Sequence, residues 1–527
     1  MVKIYLHRSN LKQMKKTYLL LAGIIMLASC TKTFQEPQAN DQEIVTAAGG
    51  NSNHESTTFG ETGMIDLGES GAAEISAFDP LTEKLFVVNN TAGNNRIDVV
   101  DLSNPSAPVL LTNIPVSPYG GLVNSVYVKN GKLAAAIEAT IKTNNGKVVV
   151  FNTATHAEIA VRTVGALPDM VAFSPDGNYI FSANEGEPND AYTIDPLGTV
   201  SIIDVADNYS VTTLDFAAFA MQAAELKAKG LRVFGPNASF AQDMEPEYIA
   251  VSANSNTAWV TLQENNGIAK IDIRTKSIRS IFPLGFKNFN LEMNAIDASD
   301  QDGAIGLFKQ WPVKGIYCPD AIAVHPNNGI PYVYSANEGD AREWAGFVEN
   351  VRLGSASYVL DPTAFPNAVT LKMNANLGRL NVTRTLGDVD GDGDYDEIYA
   401  QGARSFSIWN GNTGELIFDS KNDLDKKALA NNKYPDSRSD DKSIEPEGIA
   451  IGRVGNKNLL FVGMERADAV AVYNITDPDS PVFLQWLNSG IGPEGVAFVP
   501  ASDSPNGKSL LIVSSEVDGI VKIFTAQ

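Results

Sequence analysis

Cysteine and histidine are scarce in this chain: 527 residues hold two of the first and four of the second. Two cysteines, Cys30 and Cys318, exclude a disulfide framework. His7 and His54 lie near the N-terminus, which leaves His156 and His325, too few for a His/Cys zinc cluster or a Ser/His/Asp arrangement. No phosphate-cradling glycine loop is present, and no apolar run reaches the ~20 residues a membrane helix needs. Basic charge is also short, with 40 Lys and Arg against 62 Asp and Glu, a net charge of −22. Such a surface repels phosphate backbones and argues against nucleic acid as a partner, while it suits cations.

What is present begins at the N-terminus. Lys15-Lys16, an apolar run from Tyr18 to Leu27 and the small residues before Cys30 have the form of an export signal of the lipoprotein type, with Cys30 as the lipidated residue. The expected organisation is a signal peptide over 1–29, a polar lipid-anchored tether over 30–58 and a folded domain over 59–527. The membrane would be reached through the lipid alone, in the cell envelope, as an outer-membrane lipoprotein facing either the periplasm or the outside. Cys318 reads as a buried small hydrophobe.

Beyond the tether a unit of about 47 residues recurs: an acid or amide, a short β-branched strand, a Pro/Asp/Asn/Gly turn, a second strand ending in Glu or Asn, then a third. Pro168-Asp169-Met170-Val171-Ala172-Phe173 and Pro493-Glu494-Gly495-Val496-Ala497-Phe498 illustrate it. Short strands at this spacing predict an all-β fold, a β-propeller of the YVTN/WD40-like kind, with small helical and loop insertions. The units number seven, plus a divergent one over Arg384–Ser420; the expectation is therefore eight blades, with seven the alternative. The last unit lacks a fourth strand, which Gly63-Met64-Ile65-Asp66-Leu67 would supply.

In such a fold the residues opening each first strand and closing each second strand circle one mouth of the channel. Here the openers are Glu74, Asn124, Asp169, Glu247, Asp320, Glu447 and Glu494, and the closers Asn90, Glu138, Glu185, Glu264, Glu338, Glu465 and Glu516. Glu187, Asp190, Glu245, Asp340, Glu445 and Asp518 thicken the cluster, and Arg404 takes the corresponding place in the divergent unit. So many like charges call for compensating protons or cations, and hard oxygen donors suit calcium. A second calcium candidate is Asp388-Val389-Asp390-Gly391-Asp392-Gly393-Asp394-Tyr395-Asp396. Its acids stand at loop positions 1, 3, 5 and 9, Gly393 at 6, and Asp394 at 7 would offer its carbonyl; Tyr399 replaces the usual bidentate Glu at 12. Asp297-Ala298-Ser299-Asp300-Gln301-Asp302-Gly303 is a weaker loop of the same type.

Several phrases carry a resemblance: Ser182-Ala183-Asn184-Glu185-Gly186-Glu187-Pro188, Glu245-Pro246-Glu247-Tyr248-Ile249, Ala336-Asn337-Glu338-Gly339-Asp340-Ala341-Arg342, Gly402-Ala403-Arg404-Ser405-Phe406 and Glu445-Pro446-Glu447-Gly448-Ile449. With these the sequence resembles the choice-of-anchor I family, related to mesenchyme-specific cell surface glycoproteins. The resemblance implies a secreted propeller.

Two functional readings follow. The first is a lipid-anchored, calcium-binding module, monomeric, that binds a surface glycan, protein or phosphate-bearing ligand, or adheres, through its acidic face. The alternative is a calcium-dependent phosphohydrolase of phytase or alkaline-phosphatase type, with Arg404 holding a phosphate oxygen and Arg342 and Arg466 assisting.

Overall fold

The computed structural model describes residues 55–527. Cys30, the export signal and most of the tether lie outside the described residues. Within them the chain forms seven four-stranded antiparallel sheets. In the first, Ser76–Asp79, Lys84–Asn89, Arg96–Asp101 and Val109–Pro115 follow one another; the second runs from Val123 to Ala166, the third from Pro168 to Asp215 and the fourth from Pro246 to Pro283. The fifth contains Ile322–Asn327, Ile330–Asn337, Ser405–Asn410 and Leu416–Asp419, and the sixth runs from Pro446 to Asn488. Each first strand packs beside the first strand of the next sheet, and the seventh packs back onto the first, so the ring closes as a β-propeller.

The burial pattern explains the architecture. The second strand Leu510–Ser515 is buried throughout, and Lys132–Ile137 and Tyr179–Asn184 are buried beyond their first residues, because a blade's middle strands are covered on both faces. The fourth strand of the first blade, Val109–Pro115, is mostly exposed, as an outer edge should be.

The seventh blade is closed as the sequence predicts. Phe59–Asp66 pairs antiparallel with Ile520–Ala526, joining the two ends of the domain in one sheet. Residues before 59 are also tied to the domain: Ser56 N–H donates to the Gln527 carbonyl at 3.0 Å, and Glu55 accepts from Ser509 Oγ at 3.0 Å.

The expected eighth unit is not a separate blade. Ser405–Asn410 pairs directly with Ile330–Asn337, so the divergent segment supplies the third and fourth strands of the fifth blade. Residues 338–404 are an insertion between neighbouring strands. Its return is possible because Gly339, at φ +108°, lies against Gly402; a Cβ on Gly339 would stand 2.3 Å from Gly402 Cα. The insertion and the loop before the fifth blade share a satellite core of Phe289, Val313, Leu353, Tyr358, Leu377, Val382 and Ile398. The expected helical insertion lies at Ala217–Gln222 and Ala223–Ala228, held by Phe219 and Leu226.

Candidate functional site

Strand register places the acids. Pro168 pairs with Asn184, Pro246 with Leu262, Pro446 with Met464 and Pro493 with Ser515, so each opener and closer meet at one end of a blade. In two blades a Ser-x-Asn pair fixes the closer. Asn184 Nδ2 donates to Ser201 Oγ at 3.0 Å while Ser182 Oγ donates to Asn184 Oδ1 at 2.9 Å. Asn337 and Ser335 repeat this with Ser407, at 2.8 and 2.7 Å. These buried ties between strands two and three hold the following residue, Glu185 or Glu338, at the rim.

The result is a channel of about 980 Å³ along the inner strands. Its acidic mouth brings together Glu74, Asp169, Glu247, Asp320, Glu338, Asp340, Glu447, Glu465, Glu494 and Glu516, with Lys442 and Arg466 as the cations among them. Burial and mutual repulsion push most of these carboxyls up: Asp169 to about 7, Glu74 to about 8, Glu465 to about 7, and Glu247, Asp320, Glu447 and Glu494 well above the usual range. One oxygen each of Glu247 and Glu447 is buried without a hydrogen-bond partner among the described residues. Glu138 sits apart from the channel lining and accepts from Leu122 N–H at 3.3 Å.

Glu185 and Glu264 lie beside Glu245, outside the lining of the channel, and one carboxylate oxygen from each of the three lies within 4.8 Å of the others. Burial first, then neighbouring acids, raises Glu185 and Glu245 well above the carboxylate range; burial raises Glu264 to about 7. Glu338, Glu445 and Glu465 form a second such triad. Glu245 and Glu445 each precede a strand-opening proline; that repeated Glu-Pro-Glu was the only sequence sign of these triads.

The arginines depart from expectation. Arg404 does not face the channel. It is 1% exposed at φ +55°, and its guanidinium donates to the carbonyls of Asp297 at 2.7 Å, Ser439 at 2.9 Å and Asp441 at 2.8 Å. The insertion returns to the blade at this point, so Arg404 ties loops together and is unavailable to a ligand. Arg342 is also buried, spent on Asp243 and on Glu245 at 2.8 Å. Arg466 pairs with Glu445 at 3.1 Å and Glu465 at 2.6 Å.

The aspartate loop lies in the insertion. Oxygens of Asp388, Asp390 and Asp396 converge within 4.8 Å, and those of Asp394 and Asp396 converge likewise with Asp361, which sequence spacing did not reveal. Asp361 N–H donates to the Tyr395 carbonyl at 3.1 Å, and Tyr358 stacks on Tyr395 at 3.8 Å, which sets the two segments side by side. Asp392 belongs to neither group; it accepts from Asp394 N–H at 3.1 Å. All-oxygen donors of this kind fit calcium. The second loop does not converge: Asp297 accepts from Leu307 N–H, Asp300 pairs with Arg379 at 2.8 Å and Asp302 with Lys309 at 3.8 Å. Cys318 is fully buried, as expected.

Residues 74–478 match the choice-of-anchor I domain. Gigasin-3a of Magallana gigas is 29% identical over 189 residues, covering 29% of this chain and 66% of that protein. The mesenchyme-specific cell surface glycoprotein of Strongylocentrotus purpuratus is 26% identical over 340 residues, covering 54% of this chain and 43% of that protein. The chain thus spans just under two thirds of one curated relative and less than half of the other. Among solved structures, Kuenenia stuttgartiensis hydrazine synthase superposes with a TM-score of 0.47 at 12% identity, over 86% of this chain and 96% of that one. The WD40 domain of Toxoplasma gondii coronin gives 0.45 at 8%, over 89% and 88%. The propeller assignment itself rests on the closed ring of sheets. With the family profile matched over most of its length, the chain belongs to the choice-of-anchor I family.

Proposed function

We propose that this propeller is a calcium-dependent binding or adhesion module of the cell envelope, anchored through Cys30 and acting through the acidic channel mouth. The observation that carries the reading is the mouth itself, ten carboxylates with two cations among them. Such a surface is stable at neutral pH only when cations or protons offset the repulsion, and bound cations would let it bridge to anionic groups on a glycan or protein. The sea-urchin relative, named as a cell surface glycoprotein, supports placement at the cell exterior.

No observation favours the phosphohydrolase, since Arg404, Arg342 and Arg466 are engaged within the protein. The test is binding of the purified protein to immobilised envelope glycans with calcium, with EDTA, and with EDTA followed by excess calcium. Binding that is lost and regained supports the module. Binding indifferent to EDTA, or calcium-dependent turnover of p-nitrophenyl phosphate, contradicts it.

A further inference from the structure

The two buried triads occupy corresponding corners of the ring, with their third members one register position apart. In each, one Glu follows the second strand of a blade, one precedes the proline opening the next blade, and one follows that blade's second strand: Glu185, Glu245 and Glu264, against Glu338, Glu445 and Glu465. Their surroundings differ. Around the latter, Arg438 lies 2.6 Å from Glu445, Arg466 lies 2.6 Å from Glu465, and Lys442 bonds Glu338. The protein fills that triad with its own cations.

At the former the equivalents are missing. By strand register Gln263 stands where Glu465 does and Glu264 where Arg466 does, so an acid takes the place of that arginine, and Gln242, three residues before Glu245 as Lys442 is before Glu445, is neutral. Arg342 reaches Glu245 alone of the three and is shared with Asp243. Glu245 is 2% and Glu264 5% exposed, and one oxygen of each has no hydrogen-bond partner among the described residues. A buried carboxylate without a partner is costly, and one arginine shared with Asp243 leaves most of the charge of three neighbouring acids unbalanced unless protons or an ion offset it.

We propose that Glu185, Glu245 and Glu264 hold a structural calcium ion in the place that side-chain cations take at the second triad. The donors are all carboxylate oxygens, with no His or Cys in the group, which selects a hard cation. Glu245 and Glu264 also border a pocket of about 420 Å³, giving an entry path and room for water ligands. This inference rests on the reading that the acidic face acts through cations, and names the position where one is locked.

The experiment counts calcium bound to the purified protein by native mass spectrometry and equilibrium dialysis. The wild type is compared with Glu264→Gln, Glu185→Gln and, as the matched control, Glu445→Gln, all in a D390N/D396N background that removes the aspartate-loop site. Both variants of the first triad should lose one calcium, or bind it at least about tenfold more weakly, while Glu445→Gln, whose partners are side-chain cations, keeps the wild-type count. Near-native far-UV spectra in EDTA establish that the variants fold, and two variants guard against one failing. Calcium retained undiminished by both variants overturns the site and leaves the adhesion reading standing. Calcium binding without calcium-dependent adhesion overturns that reading and leaves the site.

Discussion

Arg342, from the insertion of the fifth blade, places Nε 2.8 Å from a carboxylate oxygen of Glu245 at the entrance to the fourth. The same guanidinium donates to Asp243, and Glu349 accepts from the Arg342 N–H at 3.3 Å and bonds Arg232. The insertion is thereby fastened to the rim by a buried ionic network.

Replacing Arg342 with Ala strands two buried carboxylates. Breaking a buried pair from one side costs about 3–5 kcal/mol. Arg342→Lys should recover little of it, because an ammonium cannot reach both acids as a planar fork does. Urea unfolding in EDTA measures both; a loss below about 1 kcal/mol would be inconsistent with the network.

The pH dependence has a definite sign. Folded-state carboxyl pKa values near 7 for Asp169, Glu264 and Glu465 and near 8 for Glu74 exceed the unfolded values, so folding takes up protons. Their stabilising contribution is complete below the unfolded values, about 4, and is lost as pH rises through 7 to 8. Melting temperature of the metal-free protein should fall over that window. Saturating calcium should flatten the fall, and binding near pH 7 should release protons measurable by calorimetry in buffers of different ionisation enthalpy.

Arg404→Ala should unfold the protein more easily, by about 2–4 kcal/mol, since three backbone carbonyls lose their donor. Calcium stoichiometry should be unchanged. A variant of full stability with altered ligand binding would place Arg404 at the ligand after all.

At the aspartate loop, Asp361→Asn should weaken calcium by about tenfold or more, as a ligand contributed from outside the loop would. Asp392→Asn, whose carboxylate stands apart from both groups, should weaken it less. Terbium luminescence sensitised by Tyr395 reads both.

The repeat was legible because blades obey local rules: β-branched strands, turn residues and a fixed period reveal all seven first strands and the terminal strand that closes the ring. The ends of the first and second strands were legible for the same reason, though Glu138, Glu185 and Glu264 lie outside the channel lining. The eighth unit misled because the strand-like Ser405–Trp409 is local information, while its pairing with Ile330–Asn337 across residues 338–404 is not. Arg404 was misplaced with it. Nothing in its sequence neighbourhood shows that its side chain turns away to meet Asp297 and Ser439. Asp361 is likewise joined to the aspartate loop by the bridge of Leu360 with Tyr395 and the stacking of Tyr358 on Tyr395, neither of them a local pattern.

The central claim is that cations stabilise the acidic mouth. It is tested most directly by stripping the purified protein with EDTA and titrating calcium at about pH 7.5, within the window where the rim carboxyls lose their protons, while following melting temperature. A saturable rise, unmatched by equal ionic strength of sodium chloride, is the predicted result. A melting temperature that calcium leaves unmoved would contradict the account.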